Sequence, residues 1–165
     1  MMYKKHIVFD WGDTLMKDDK ARNDAMYLWP EVHAMDGAET TLRTLARSST
    51  ISVATSAAQS DDLMVRKALR RVGLDQYVSN VFTGKSIGRK KTDPAFWIHI
   101  QGELNAQLDE LLIVGDSFES DVLAPTKAGF SAVWFNPNSR EEKSGDRYLT
   151  IHKLDELLKK AASEK

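Results

Sequence analysis

The sequence predicts an α/β fold, a doubly wound, Rossmann-like parallel sheet of five to six strands with helices on both faces. Three observations predict it. Apolar, β-rich runs alternate with helical patterns along the chain, as in a parallel sheet with crossover helices. Two carboxylates stand just past such runs: Asp10 after Ile7-Val8-Phe9, and Asp116 after Leu111-Leu112-Ile113-Val114-Gly115. Open α/β sheets place their chemistry there, beyond the carboxyl ends of the strands. Finally, 165 residues suit one domain, long enough to bury a core without staples. We therefore expect a single domain over 1–165.

Strands are expected at residues 5–9, 51–55, 80–83, 111–114 and 131–135, with a weaker sixth at 148–151. Ala38, Leu42, Leu45 and Ala46 recur at helical spacing, which predicts the first helix. Val65, Ala68, Leu69 and Val72 predict the second. Ser60 is its expected N-cap, Asp61 and Asp62 lie in its first turn, and Gly73 is expected just past its end. Asp93-Pro94 reads as N-cap and first position of a helix carrying Phe96, Ile100 and Leu104. Pro125 fits only the first turn of a helix, where a backbone N–H has no partner. The helix after Asp116 is thus expected to start near Asp121 or Val122, with 117–120 as loop, or to kink at Pro125.

The stretch 17–36 is polar, with scattered Met26, Tyr27, Trp29 and Met35, and 137–146 reads as a charged, solvated loop. Residues 159–165 read as a fraying tail.

Bulk properties exclude several classes. The formal charge is −1, from 23 basic and 24 acidic residues, which points to neither a nucleic-acid nor a membrane partner. Without cysteine there is no disulfide framework and no thiolate zinc. No stretch approaches 20 apolar residues and no signal-like segment opens the chain, so a cytoplasmic protein is expected.

Two acidic loops presented at strand ends can hold one hard divalent cation, because Mg²⁺ takes oxygen ligands and usually only one or two carboxylates. Other candidates have structural readings. Asp93 reads as a helix cap. His6, His33, His99 and His152 share no metal-ligand spacing. Thr83-Gly84-Lys85-Ser86 lacks a P-loop's first glycine, since Ser79 stands there.

Taken in order, the strand-end residues resemble the haloacid dehalogenase (HAD)-like hydrolase superfamily. Phe9-Asp10-Trp11-Gly12-Asp13-Thr14-Leu15 is similar to its first motif, Asp-x-Asp-x-Thr after a strand. Thr55 matches the second, Lys91 within Lys91-Thr92-Asp93-Pro94 the third, and Gly115-Asp116-Ser117 with Asp121 the fourth. The resemblance covers roughly residues 7–136 and implies the strand order 3-2-1-4-5. It also implies that Asp10 attacks phosphorus and forms an aspartyl-phosphate. Mg²⁺ would be held by Asp10, the Gly12 carbonyl and Asp116, with Asp121 orienting the metal shell. Thr55 would donate to a phosphoryl oxygen, and Lys91 would pair with nucleophile and phosphate. The implied partner is a phosphorylated small molecule or macromolecule.

Two departures from the family pattern matter. The acid that protonates the leaving oxygen usually sits two residues after the nucleophile, where this chain has Gly12; Asp13 follows one residue later. Three outcomes are open: Asp13 takes the role, only good leaving groups are cleaved, or the protein is slow or inactive. Second, there is little room for a cap domain, only a short flap over about 16–37. Such a site either accepts bulky substrates or is closed by another subunit in a homo-oligomer, with 26–29 and Met35 as candidate lid, contact surface or buried packing. The leading expectation is a nearly capless Mg²⁺-dependent phosphomonoester hydrolase. The alternative is a catalytically impaired phosphate-binding or interaction module. A phosphoacceptor receiver domain fits poorly, because no acidic pair precedes Asp10.

Overall fold

The computed structural model describes residues 4–162. Its centre is a six-stranded sheet in the order β3-β2-β1-β4-β5-β6. The strands are β1 (His6–Phe9), β2 (Thr50–Thr55), β3 (Asn80–Thr83), β4 (Leu111–Gly115), β5 (Ser131–Phe135) and β6 (Tyr148–Ile151). Every neighbouring pair is parallel. The expected order 3-2-1-4-5 is therefore present, and β6 extends it by one edge strand.

Helices cover both faces: α1 (Ala38–Leu45), α2 (Asp62–Arg71), α3 (Gly84–Ile87), α4 (Pro94–Leu104), α5 (Ala124–Lys127) and α6 (Glu156–Ala162). Alternate strand residues serve opposite cores, because successive side chains point to opposite faces. Ile7 and Phe9 join Leu42, Val65, Leu69 and Leu154 on one face. Val8 joins Phe96, Trp97, Ile100, Ile113 and Phe130 on the other. Burial on both faces explains why the central strands read as unbroken apolar runs.

The helix ends test the capping expectations. Asp93 caps α4, accepting from the Ala95 N–H at 2.9 Å, and Pro94 opens that helix as expected. Gly73 follows α2 with φ 74°, a left-handed conformation that glycine adopts without steric cost. The cap of α2, however, is Asp61 rather than Ser60. Its carboxylate accepts from the Met64 N–H at 2.9 Å, while Ser60 is buried. Thr83 caps α3, accepting from Ser86 N–H at 3.1 Å, so the Gly84-Lys85-Ser86 segment is a short capped helix.

A correction concerns 117–120, expected as loop. Ser117 is an N-cap, and a π-helical turn spans Phe118–Leu123 before α5. A widened turn is one way a helix absorbs a proline that can make no backbone bond. The chain is thus helical from Phe118 to Lys127, an earlier start than the sequence predicts. The expected tail is also shorter than read, since α6 runs to Ala162; residues 163–165 lie outside the described residues. No helix among the described residues is long and apolar enough to cross a membrane.

Candidate active site

The sheet order reverses between β1 and β4, and the crevice beyond their carboxyl ends is the topological switch point where open α/β sheets bind ligands. Asp10 directly follows β1, and its N–H extends the β1–β4 pairing by bonding Val114 O at 2.8 Å. Asp116 follows β4, and Thr55 ends β2. A cavity of about 310 Å³ opens there, lined by Asp10, Thr55, Lys91, Asp116 and Asp121 among others.

Thr14 couples the two acidic loops. Its hydroxyl lies 3.1 Å from Asp10 Oδ2 and 3.2 Å from Asp116 Oδ1, and it accepts from the Asp116 N–H at 3.2 Å. The Trp134 indole on β5 donates to Asp116 O at 2.9 Å, fixing that loop from the other side. The carboxylates of Asp10, Asp116 and Asp121 each offer an oxygen within 4.8 Å of the others. All three expected acids therefore converge on one place.

Lys91 is the buried counter-charge. Its ammonium donates to Asp10 Oδ1 at 2.6 Å and to Asp121 Oδ1 at 2.8 Å, and its side chain is only 3% exposed. The Trp97 indole holds the Lys91 carbonyl at 2.9 Å. Asp121 also accepts the Ser117 N–H at 3.1 Å. Gly115 has no room for a Cβ, because the Asp121 carboxyl fills that space. This is the steric reason for glycine before Asp116.

Electrostatics separates the three acids. Burial works against ionising Asp10, yet the Lys91 charge, with hydrogen bonds from Asp116, Lys91 and the Trp11 backbone, holds it below the usual carboxylate range. Burial, then the Asp10 hydrogen bond and charge, pushes Asp116 up to about 8. Burial and the Asp10 charge also raise Asp121, against the opposing pull of Lys91. For Lys91 burial disfavours the cation, but Asp10 and Asp121 reverse that and raise its pKa. Asp10 is thus the acid kept ionised, and Asp116 the one of the three with no cation paired to it among the described residues.

Thr55 Oγ1 accepts from the Ala57 N–H at 3.1 Å, which leaves its hydroxyl hydrogen for a ligand in the cavity. Gly12 lines the cavity, but Asp13 does not. Asp13 adopts a left-handed backbone, φ 59°, and its carboxylate accepts the Asp18 N–H at 3.0 Å. Of the three outcomes the sequence leaves open, Asp13 standing in the site as acid is not the arrangement seen, since its carboxylate is turned to the Asp18 N–H. Asp18 and Lys20, from the flap, line the cavity in its place. Neither is legible in the sequence, because no spacing ties that polar stretch to the strand ends.

The candidate lid is partly packed: Leu28 is exposed, and Met26 both joins the core and lines the cavity. Met26 and Trp29 are buried against the core that includes Val65 and Leu69. The Arg71 guanidinium on α2 donates to the carbonyls of Tyr27, Trp29 and Pro30.

A family profile described as haloacid dehalogenase-like hydrolase matches residues 5–135. The ribulose-1,5-bisphosphate 5-phosphatase of Halopiger xanaduensis is 28% identical over 92 residues, 54% of this chain and 38% of that protein. The pyrimidine 5′-nucleotidase YjjG of Escherichia coli is 28% identical over 95 residues, 54% of this chain and 42% of that protein. The chain thus spans about two-fifths of the length of these curated relatives. In fold it is similar to an uncharacterized protein from Listeria monocytogenes, with TM-score 0.83 and 23% identity over 96% of this chain and 99% of that one.

Proposed function

The chain belongs to the haloacid dehalogenase-like hydrolase family, and on that footing we propose that it is a Mg²⁺-dependent phosphomonoester hydrolase working through an aspartyl-phosphate on Asp10. The observation that carries this reading is the pairing of Asp10 with buried Lys91 beside two further carboxylates at the switch point.

The donor set fits a hard divalent cation. Three carboxylates gathered within 4.8 Å against one buried lysine leave negative charge uncompensated, and oxygen-only donors suit Mg²⁺. Asp10, Asp116 and the Gly12 carbonyl would hold it, with Asp121 behind them. When bound, the ion neutralises charge on the transferring phosphoryl group.

The chain's own residues divide the remaining work. The Asp10 carboxylate oxygen attacks phosphorus while the bond to the leaving oxygen breaks, giving the aspartyl-phosphate. Water then attacks that phosphorus and releases phosphate, restoring the Asp10 carboxylate. Lys91 keeps Asp10 ionised and offers charge to the phosphoryl oxygens. Thr55 donates to one of them. Thr14 keeps the two acidic loops in register.

Phosphorylated small molecules form the first substrate class to test, because the two relatives are named for acting on a sugar bisphosphate and on pyrimidine nucleotides. We further propose that residues 1–165 work as one domain and that the stretch 16–37 serves as a minimal flap in place of a cap. The deciding experiment is a screen of phosphorylated metabolites with Mg²⁺, using Asp10→Asn as the blank. Hydrolysis by the wild type alone supports the reading. Equal release of phosphate by both, or by neither, leaves a phosphate-binding module as the better account.

A further inference from the structure

The leaving-group acid missing at Gly12 has a candidate elsewhere in the chain. The geometry points to Asp18 as the residue that protonates the leaving oxygen and later deprotonates the attacking water, an inference that rests on the hydrolase reading above.

A Cβ built on Gly12 would lie 3.3 Å from Asp18 Oδ2 and 3.4 Å from Asp18 Cβ and Cγ. The Asp18 side chain thus borders the space into which a side chain at position 12 would grow. Asp18 lines the same cavity as Asp10 and Asp116. Its position is built by the loop that follows Gly12. Asp13 turns left-handed, its N–H bonds Met16 O at 2.6 Å, and its carboxylate holds the Asp18 N–H at 3.0 Å. Lys17 N–H bonds His33 O at 2.9 Å, which ties the loop to the far end of the flap. Asp13 is thus a positioning residue, and Asp18 is the carboxyl that the positioning presents.

The Asp18 side chain suits proton transfer because, among the described residues, no buried ion pair consumes it. It is 27% exposed; Oδ1 accepts the Asp19 N–H at 2.9 Å, and Oδ2 lies 3.4 Å from the largely exposed Lys20, its one ion-pair contact among the described residues. In the first step the ester P–O bond breaks as Asp10 bonds phosphorus, and the departing oxygen takes the proton of the Asp18 carboxyl. In the second, the Asp18 carboxylate takes a proton from water as that oxygen bonds phosphorus and the bond to Asp10 breaks. The proton returns to Asp18, and the cycle closes.

The test is the dependence of kcat/KM on leaving-group acidity, measured with Mg²⁺ across aryl phosphates from 4-nitrophenyl to 4-methoxyphenyl. This ratio reads only the steps through phosphoryl transfer to Asp10, so a slow second step does not blur it. Wild type should show a shallow slope. Asp18→Asn should show a steep one, losing much of the ~10²–10⁴ that a positioned acid supplies on 4-methoxyphenyl phosphate and far less on 4-nitrophenyl phosphate. With 4-nitrophenyl phosphate it should also give a burst of 4-nitrophenol, because the second step lacks its base. Asp18→Ala combined with Gly12→Asp should restore the shallow slope, since the first change vacates the room the second needs. This pair carries the same test if Asp18→Asn fails to fold. A wild-type slope in Asp18→Asn, or no restoration in the double variant, overturns the inference while leaving the hydrolase reading intact. No hydrolysis dependent on Asp10 in the wild type overturns both.

Discussion

The Asp121 carboxyl is folded against the Cα of Gly115, in the space where any other residue would carry its Cβ. This contact lets Asp121 reach Lys91 and the Ser117 N–H from the first helical turn after β4.

Gly115→Ala should therefore push Asp121 out of its place. We expect a stability loss of about 1–3 kcal/mol, typical of an overpacked site, together with a collapse of Mg²⁺-dependent hydrolysis. Urea unfolding and the steady-state rate check the two effects. Wild-type values in both would show that the contact is not needed.

Lys91→Met should cost about 3–5 kcal/mol, because it leaves Asp10 and Asp121 buried beside one another without their cation. Adding Asp121→Asn removes one of those charges and should recover part of the loss. Denaturant midpoints of the two variants and wild type measure the coupling. Equal midpoints for wild type and Lys91→Met would contradict the assigned pairing.

Much of this site was legible in the sequence, because a strand that ends at a carboxylate shows as an apolar run stopped by an acid. Asp10 and Asp116 show in that way and Asp121 at the helix start that Pro125 implies, whereas Thr55 and Lys91 take their site roles only through the family resemblance. What was not legible depends on chain paths with no local signature. Ser60 and Asp61 are both competent caps, and it is the Asp61 carboxylate that accepts the Met64 N–H. The π-helical turn at Phe118–Leu123 lets helix begin earlier than Pro125 alone would allow. Asp18 reaches Gly12 through a left-handed residue, Asp13, which reads in sequence as a plausible acid itself. The indole bonds of Trp97 and Trp134 to the Lys91 and Asp116 carbonyls emerge only in three dimensions.

Removing the metal should leave a pH signature. The Asp116 carboxyl, raised to about 8 from 3.8, stays protonated in the folded metal-free chain over a range where the unfolded chain has released that proton. The native state then binds more protons, so this contribution makes stability fall as pH rises from about 4 toward 8. Asp10 has the opposite sign, and its window lies below its ordinary 3.8. Melting temperatures in a chelator, compared between wild type and Asp116→Asn, should diverge across that range. Mg²⁺ should reduce the wild-type loss by binding the ionised carboxylate. Parallel profiles with and without Mg²⁺ would argue against a cation at this site.

Asp93→Ala provides the contrast. Asp93 caps α4 and pairs with Arg89 at 2.9 Å on the surface, and it does not line the cavity. Its loss should cost about 0.5–2 kcal/mol of stability and leave kcat/KM unchanged for any substrate found. A kinetic defect in the folded variant would place Asp93 nearer the chemistry than its position indicates.

The central claim is that Asp10 carries the phosphoryl group. Rapid acid quenching during turnover of 4-nitrophenyl phosphate with Mg²⁺, followed by peptide mass spectrometry, tests it most directly. The account predicts one added phosphoryl group on the peptide containing Asp10, chased away on longer incubation and missing from Asp10→Asn. A phosphoryl group on any other residue, or a stoichiometric burst of nitrophenol with an unmodified Asp10 peptide, would contradict it.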